Sequence, residues 1–293
     1  MNLRDLKYLV SLAELKHFGK AADACFISQP ALSIQIKKLE KYLGVQLLER
    51  NNKSVLLTDI GQTIAEQAIL VLQEADKIRE LAKVAKDPFA GELKLGIIPT
   101  LSPYLLPHIM PKLSQSFPKL SFYLVEEQTQ VLEEKLRQGK IDAAILATAM
   151  QETNISQHFL FEEKFLLAVP SAHPLAKQKK AKLENIQQTG LLLLEDGHCL
   201  RDQVLSFCQY STDIEKQNFR ATSLETLRHM VIAGTGLTLM PELACYPHKK
   251  ITYIPLGAPQ PSRQISLYWR TSSAKNILLQ ALAQQLEKLS KAI

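Results

Sequence analysis

At 293 residues the chain is about twice the length of a typical domain, so two domains or one large one are expected. Hydrophobic residues make up 46% and charged residues 22%, which excludes wholesale disorder, and 35 basic against 29 acidic residues leave +6, which admits an acidic partner. No apolar run approaches the ~18 residues of a membrane span, Met1-Asn2-Leu3-Arg4-Asp5 does not read as a secretory leader, and four cysteines cannot form a disulfide scaffold, so a cytoplasmic chain without membrane association is expected.

The first ninety residues read as helix with few breaks. Leu3, Leu6, Leu9, Val10 and Ala13 form the apolar stripe of a first helix, which His17-Phe18-Gly19 interrupts. Lys20 to Cys25 is a short second helix. Ser28 is a good N-cap for a third, with Pro30 in its first turn, Leu32, Ile36, Leu39 and Leu43 on one side, and Gly44 as its stop. Gln46 to Leu57, with a polar tip at Arg50-Asn51-Asn52-Lys53-Ser54, suggests a hairpin. From Thr58, a candidate N-cap, a long helix carries Ile60, Ile64, Ala68, Val71, Ala75, Ile78, Ala82 and Ala85 at spacings of 4, 4, 3, 4, 3, 4 and 3. That is nearly a heptad seam, and it calls for a partner helix, either in the same chain or, as preferred here, in a second copy. Asp87-Pro88-Phe89-Ala90-Gly91 reads as a hinge.

Beyond the hinge the period changes. Short apolar runs at Leu93–Ile98, Leu120–Val125 and Ile141–Leu146 alternate with helices near Tyr104–Phe117 and Val131–Gln138, which argues for an α/β domain with a largely parallel sheet. The pattern continues through Phe165–Val169, Leu191–Leu194, a helix from about Cys199, Phe219–Ala221, a helix from Leu224, Leu237–Met240, Ile265–Arg270 and a closing helix from about Ala274. Two lobes are expected, about 91–163 with 270–293, and about 164–269.

A short helix, a tight turn and a capped helix followed by a hairpin form a winged helix-turn-helix. Its residues Ala21-Ala22-Asp23, Ser28-Gln29-Pro30-Ala31-Leu32-Ser33-Ile34-Gln35-Ile36-Lys37-Lys38-Leu39-Glu40 and Leu43-Gly44-Val45-Gln46-Leu47-Leu48-Glu49-Arg50 strongly resemble the DNA-binding domain of LysR-type transcriptional regulators. The resemblance implies a winged helix-turn-helix at 1–58, a dimerisation linker helix at 59–87 and a two-lobed α/β effector domain at 88–293, like that of periplasmic binding proteins. It also implies double-stranded DNA as partner and a dimeric or tetrameric assembly. The seam residues Ile60, Ile64, Ala68, Val71, Ala75 and Ile78 are the expected dimer contacts. With the apolar side of the third helix turned inward, Pro30, Ser33, Ile34, Lys37 and Lys41 face the other way. Lys37 and Lys41 suit phosphates, and Gln29 and Ser33 suit base edges. Ile34 suits a thymine methyl or is a tolerated surface residue, and Arg50 and Lys53 suit the adjacent backbone or minor groove.

The run Leu194-Glu195-Asp196-Gly197-His198-Cys199-Leu200-Arg201-Asp202-Gln203 precedes Phe207-Cys208. The two thiols could be structural. Cys199 nevertheless falls near an expected helix N-terminus, where the dipole favours thiolate, with Arg201 close in sequence and His198 either a hydrogen-bond donor or a loop residue. Thiolate attacks peroxide to give sulfenic acid, which a second thiol captures as a disulfide. If the segment is helical, its nine-residue separation is a rise of about 13.5 Å, whereas a disulfide needs Cα atoms about 4.4–6.8 Å apart. Closing the bond would then melt the helix and release Leu200, Val204 and Phe207, whose 4, 3 spacing marks its expected buried face.

This segment, with Ala221-Thr222-Ser223-Leu224-Glu225-Thr226-Leu227-Arg228 and Ile98-Pro99-Thr100-Leu101-Ser102-Pro103-Tyr104-Leu105-Leu106-Pro107, closely resembles the peroxide sensors of the LysR family along essentially the whole chain. The resemblance implies that Cys199 is the peroxidatic and Cys208 the resolving cysteine, and that Thr100, Thr129, His198 and Arg270 form the pocket for hydrogen peroxide. Cys25 reads as structural and Cys245 has no assigned role. The expected function is a peroxide-switched, homotetrameric (dimer of dimers) activator of oxidative-stress genes, not an enzyme, with no cofactor and no metal, and with RNA polymerase as a candidate further partner. A LysR-type regulator answering a small metabolite in the inter-lobe cleft, and a thiol peroxidase with accessory DNA affinity, are the alternatives.

Overall fold

Side chains fix where each early helix begins. In the computed structural model, which describes residues 1–49, 56–84, 86–182, 191–208 and 220–291 (backbone alone at 79, 80, 83, 84 and 208), helix α1 (Leu3–Leu15) is capped by Asn2. The Asn2 side chain accepts the Arg4 and Asp5 amides, and Asp5 Oδ2 accepts the Asn2 amide at 2.8 Å, a reciprocal box of the kind worth about 1 kcal/mol. His17, expected only as an interruption, caps α2 (Phe18–Ala24) by accepting the Lys20 amide on Nδ1. Ser28 caps α3 (Gln29–Leu43), which ends at Gly44 with φ +72°.

Helix α4 (Asp59–Val84) starts at Thr58, whose Oγ1 accepts the Gly61 amide at 3.0 Å and donates to the Gln46 carbonyl at 2.7 Å. The helix touches the hairpin backbone directly, because a Cβ on Gly61 would overlap the Leu47 carbonyl. Leu48 and Leu57 pair across the hairpin arms, while its tip, with Arg50 and Lys53, lies outside the described residues. Leu9, Leu12, Ala21, Ala22, Leu32, Ile36, Leu39, Leu47 and Ala65 form the core of this first unit, Met1–Lys86.

The second unit, Asp87–Ile293, is built on a mixed sheet. Strand β1 (Gly91–Ile97) lies parallel to β2 (Leu120–Glu126) on one side and to β3 (Ala143–Leu146) on the other. Helices α5 (Ser102–Ser116) and α6 (Thr129–Arg137) make the crossovers. Strand β4 (Ile155–Pro170) is followed by β5 (Leu193–Leu194), α7 (Cys199–Cys208), β6 (Arg220–Ala221), α8 (Leu224–Ile232), β7 (Thr238–Pro241), β8 (Ile251–Pro255), β9 (Ser262–Arg270) and α9 (Asn276–Ser290).

Two expectations are corrected by β4 and β9. The sheet is not largely parallel: β9 runs antiparallel to β3 and to residues 155–164 of β4, whose remaining length pairs antiparallel with β7 and β8. The second crossing between lobes falls before β9, near Pro261, and not at Arg270. Ile265, Leu267, Tyr268 and Trp269 sit in the first lobe's core with Leu95, Ile97 and Leu279, and the second core gathers Phe165, Leu192, Leu200, Val204, Leu227 and Leu239. One 16-residue strand, β4, thus belongs to both lobes, its first half to one core and its second half to the other.

Candidate functional site

Helix α7 lies where the lobes meet. Cys199 packs into the first core, whereas Leu200 and Val204, on the next face of the same helix, pack into the second. Phe207 belongs to that buried side and packs on Phe165 with the rings tilted at 57° and their centroids 5.4 Å apart. Leu200, Val204 and Phe207 therefore form the buried face expected from their spacing. Cys199 is a free thiol, 8% exposed. The segment is helical from Cys199 to Cys208, which separates their Cα atoms by about 13.5 Å.

The loop before α7 carries Cys199 to the ends of the parallel strands. Gly197 adopts φ +93°, and a Cβ there would run into Gln128, so the loop lies against the start of α6. Ile97 and Glu126 are register partners on β1 and β2, and Thr100 and Thr129 lie three residues beyond each. Both threonines are buried at strand C-terminal ends, where α/β folds gather ligands. Among the described residues Thr129 Oγ1 has no hydrogen-bond partner, and neither has Thr148 Oγ1 beyond β3. Gln203, one turn along α7 from Cys199, donates to the Ala147 carbonyl at 2.9 Å and keeps its buried Oε1 unpaired. Buried polar atoms left without partners are uncommon in native folds, and three of them at the parallel strand ends and the facing helix make this seam suited to a small polar molecule.

His198 is buried, and burial pushes its pKa down, an effect partly opposed by Glu195, whose Oε1 lies 3.9 Å from Nε2. Its imidazole is neutral at neutral pH and can accept a proton. Arg201, expected to lend charge to Cys199, pairs with Asp196 at 3.0 Å and donates to the Leu194 carbonyl at 3.3 Å. Asp196 also holds Arg220 at 2.6 Å, which fixes the loop to β6. Beneath α7 a cavity of about 10 Å³ is lined by Leu192, Leu194, Leu200, Val204, Leu227 and Thr238, roughly the room of one water.

Arg270 is not with this group. It donates to the Leu136 and Ile141 carbonyls at the opposite end of β9, beside the start of β3. The arginine that reaches Thr100 is Arg263, through Nη1 to Oγ1 at 3.0 Å and Nη2 to the carbonyl oxygen at 3.1 Å. It is fully buried and paired with Glu163 at 2.8 Å. A charge in phase with Ile265, Leu267 and Trp269 on an inward strand face requires such a partner, and that phase was the available signal. Cys245 is a half-buried thiol that burial pushes up to about 12, with Glu163 raising it further, and it donates to the Pro241 carbonyl at 3.3 Å.

In the first unit α3 presents Gln29, Pro30, Ile34 and Lys37 to solvent, with Ser33 half-buried among them and Ile34 54% exposed. On α4, Ala68 is buried within the unit, Ile64 and Ala75 are half-buried, and Ile60, Val71 and Ile78 are exposed.

A helix-turn-helix unit followed by a two-lobed α/β unit is the build of a signal-responsive transcriptional regulator. Residues 3–62 match the bacterial regulatory helix-turn-helix protein family of lysR type, and residues 86–290 match the LysR substrate binding domain. The chain belongs to the LysR family. It is 47% identical over 296 aligned residues to the DNA-binding transcriptional dual regulator OxyR of Escherichia coli, covering 100% of this chain and 95% of that protein. Full-length OxyR of Pseudomonas aeruginosa, solved with a cysteine-to-aspartate substitution, superposes with a TM-score of 0.77 at 39% identity, covering 98% of this chain and 94% of that one. A hydrogen peroxide-bound cysteine-to-serine mutant of Corynebacterium glutamicum OxyR gives 0.66 at 33% identity, covering 99% and 93%. No helix among the described residues is long and apolar enough to cross a membrane.

Proposed function

We propose that the chain is a hydrogen peroxide-responsive regulator of transcription in which Cys199 reacts and Cys208 resolves. The observation that carries the proposal is a buried free thiol at one end of α7, next to the buried His198, on a helix and loop that contact Gln128 and Ala147 at the parallel strand ends, with the second thiol's residue at the other end. The Cys199 sulfur attacks one peroxide oxygen and the O–O bond breaks. Sulfenic acid forms, and the departing hydroxide takes a proton to leave as water. Thr100 and Thr129 bind the peroxide, His198 handles the proton, and Arg263, in the place expected for Arg270, holds Thr100. The Cys208 sulfur then displaces the sulfenic hydroxyl, again as water, and the S–S bond forms.

That bond cannot span an intact α7, since about 13.5 Å must shrink to about 4.4–6.8 Å. Closing it unwinds the helix and withdraws Leu200, Val204 and Phe207 from the second core. Such a two-state element converts a chemical event into a change of quaternary arrangement. The DNA-facing residues are Gln29, Pro30, Ser33, Ile34 and Lys37, to which the sequence adds Arg50 and Lys53, outside the described residues. The exposed Ile60, Val71 and Ile78, with the half-buried Ile64 and Ala75, pair two chains, whereas Ala68, expected in the same seam, packs within its own unit; a dimer of dimers spans the operator in the cytoplasm, with RNA polymerase as the protein partner of the activated state. Operator binding under anaerobic conditions, before and after stoichiometric peroxide, tests the proposal: the footprint must change for the parent chain and stay fixed for Cys199→Ser.

A further inference from the structure

The second lobe carries a charged edge that the peroxide site does not use. Lys177, Lys179, Lys180 and Lys182 lie in one exposed segment, and Lys249 and Lys250 lie just before β8. The two groups are joined through β8. The Ser171 amide donates to the Lys250 carbonyl and Ser171 Oγ to the Lys249 carbonyl, each at 3.1 Å. At the other end of the strand the Ala181 amide donates to the Pro255 carbonyl, and the Gly257 amide to the Ala181 carbonyl, each at 2.9 Å. Neither 171–182 nor 245–262 contains an aspartate or glutamate. None of the six lysines has an ion-pair partner among the described residues.

A five-residue strand is about 17 Å long, and the same length of duplex carries about ten phosphate charges. We propose that this lysine edge of the second lobe is a DNA-backbone contact surface, independent of base sequence, in addition to the helix-turn-helix. Its composition favours phosphate over a protein surface. Protein interfaces concentrate aromatic, Met and Arg residues and exclude Lys from their centres, and across 171–182 and 245–262 Tyr246 is the single large apolar side chain exposed among the described residues. Lysines meet phosphate as mobile point charges and need no fixed geometry. Once the first unit holds a duplex, the effective concentration of phosphate at a tethered second surface is high enough for individually weak contacts to be made. The inference rests on the reading that the chain binds DNA through its first unit, and the test separates the two.

The measurement is full-length protein binding to an operator duplex with extended flanks, and to a scrambled duplex of equal length, across a range of KCl concentrations. Specific operator binding by the parent chain checks the underlying reading. Replacing the six lysines with glutamine makes the plot of log K against log salt shallower by about 0.9 for each phosphate that is no longer neutralised. A change equivalent to two or more phosphates, equal for both duplexes and restored by Lys→Arg at the same positions, supports the proposal. An unchanged slope in a variant that melts like the parent overturns it. An unchanged slope together with abolished transcriptional activation overturns it in favour of an acidic protein at this edge.

Discussion

Arg263 grips Thr100 by both oxygens, through Nη1 to the hydroxyl at 3.0 Å and Nη2 to the carbonyl at 3.1 Å. The same guanidinium is paired with Glu163 at 2.8 Å and lies 5.9 Å from the Phe165 ring centroid, and Phe165 in turn packs against Phe207 of α7. Helix α7 and Thr100 are thus linked through two intervening side chains, Arg263 and Phe165. Arg263→Gln leaves the Glu163 carboxylate buried without its cation, a loss expected to cost about 3–5 kcal/mol of stability. Denaturant unfolding measures the loss, and it should shrink when Glu163→Gln is added.

Thr129 separates function from stability. Its hydroxyl is buried without a partner among the described residues, which costs about 1–3 kcal/mol relative to a satisfied group. Thr129→Val keeps the shape and removes the orphan, so the protein should unfold at equal or higher denaturant while Cys199 oxidises more slowly. Single-turnover oxidation followed by mass spectrometry, alongside the melt, reads both effects. A destabilised variant with parental oxidation would place the hydroxyl in the packing and not in the pocket.

His198 gives a pH dependence with a definite sign. Its pKa is lowered by burial, with Glu195 opposing, so between the folded value and about 6.5 the unfolded chain binds the extra proton. Stability therefore falls as pH drops below about 6.5, and the fall is complete once the folded value is passed. His198→Gln should flatten this part of the profile. The reaction of Cys199 with peroxide should also keep its neutral-pH rate further into acid than an exposed histidine would allow.

Val71, 47% exposed on α4, tests the seam. A charge buried in a helix–helix interface costs several kcal/mol unless paired. Val71→Asp should give smaller species by light scattering and weak binding to half-sites, with an unaltered fold by circular dichroism. Full-size oligomers would mean that the helix pairs elsewhere.

Much of this was legible from residue order. The caps at Ser28 and Thr58, the helical run from Cys199 and the inward face of Leu200, Val204 and Phe207 follow from spacing and local chemistry, and the structure has each of them. The first half of β4 was not visible, because Ser156, Gln157, His158, Glu162 and Glu163 break its apolar alternation while it pairs with β9. Strand β8 escaped for a similar reason, being short and flanked by Lys250 and Gly257. Arg263 was passed over for Arg270, since a strand's register against its neighbours depends on contacts distant in sequence. The pairing of Glu163 with Arg263 across β4 and β9, and the bonds from Arg263 to Thr100, show which end of the strand meets the parallel strand ends.

The helix-melting switch is the centre of this account, and hydrogen exchange on the reduced and oxidised protein reaches it most directly. With the Cys199–Cys208 disulfide confirmed by mass spectrometry, amides of residues 200–207 should be protected in the reduced protein and should exchange much faster after peroxide treatment. Equal protection of that segment in both states would contradict it.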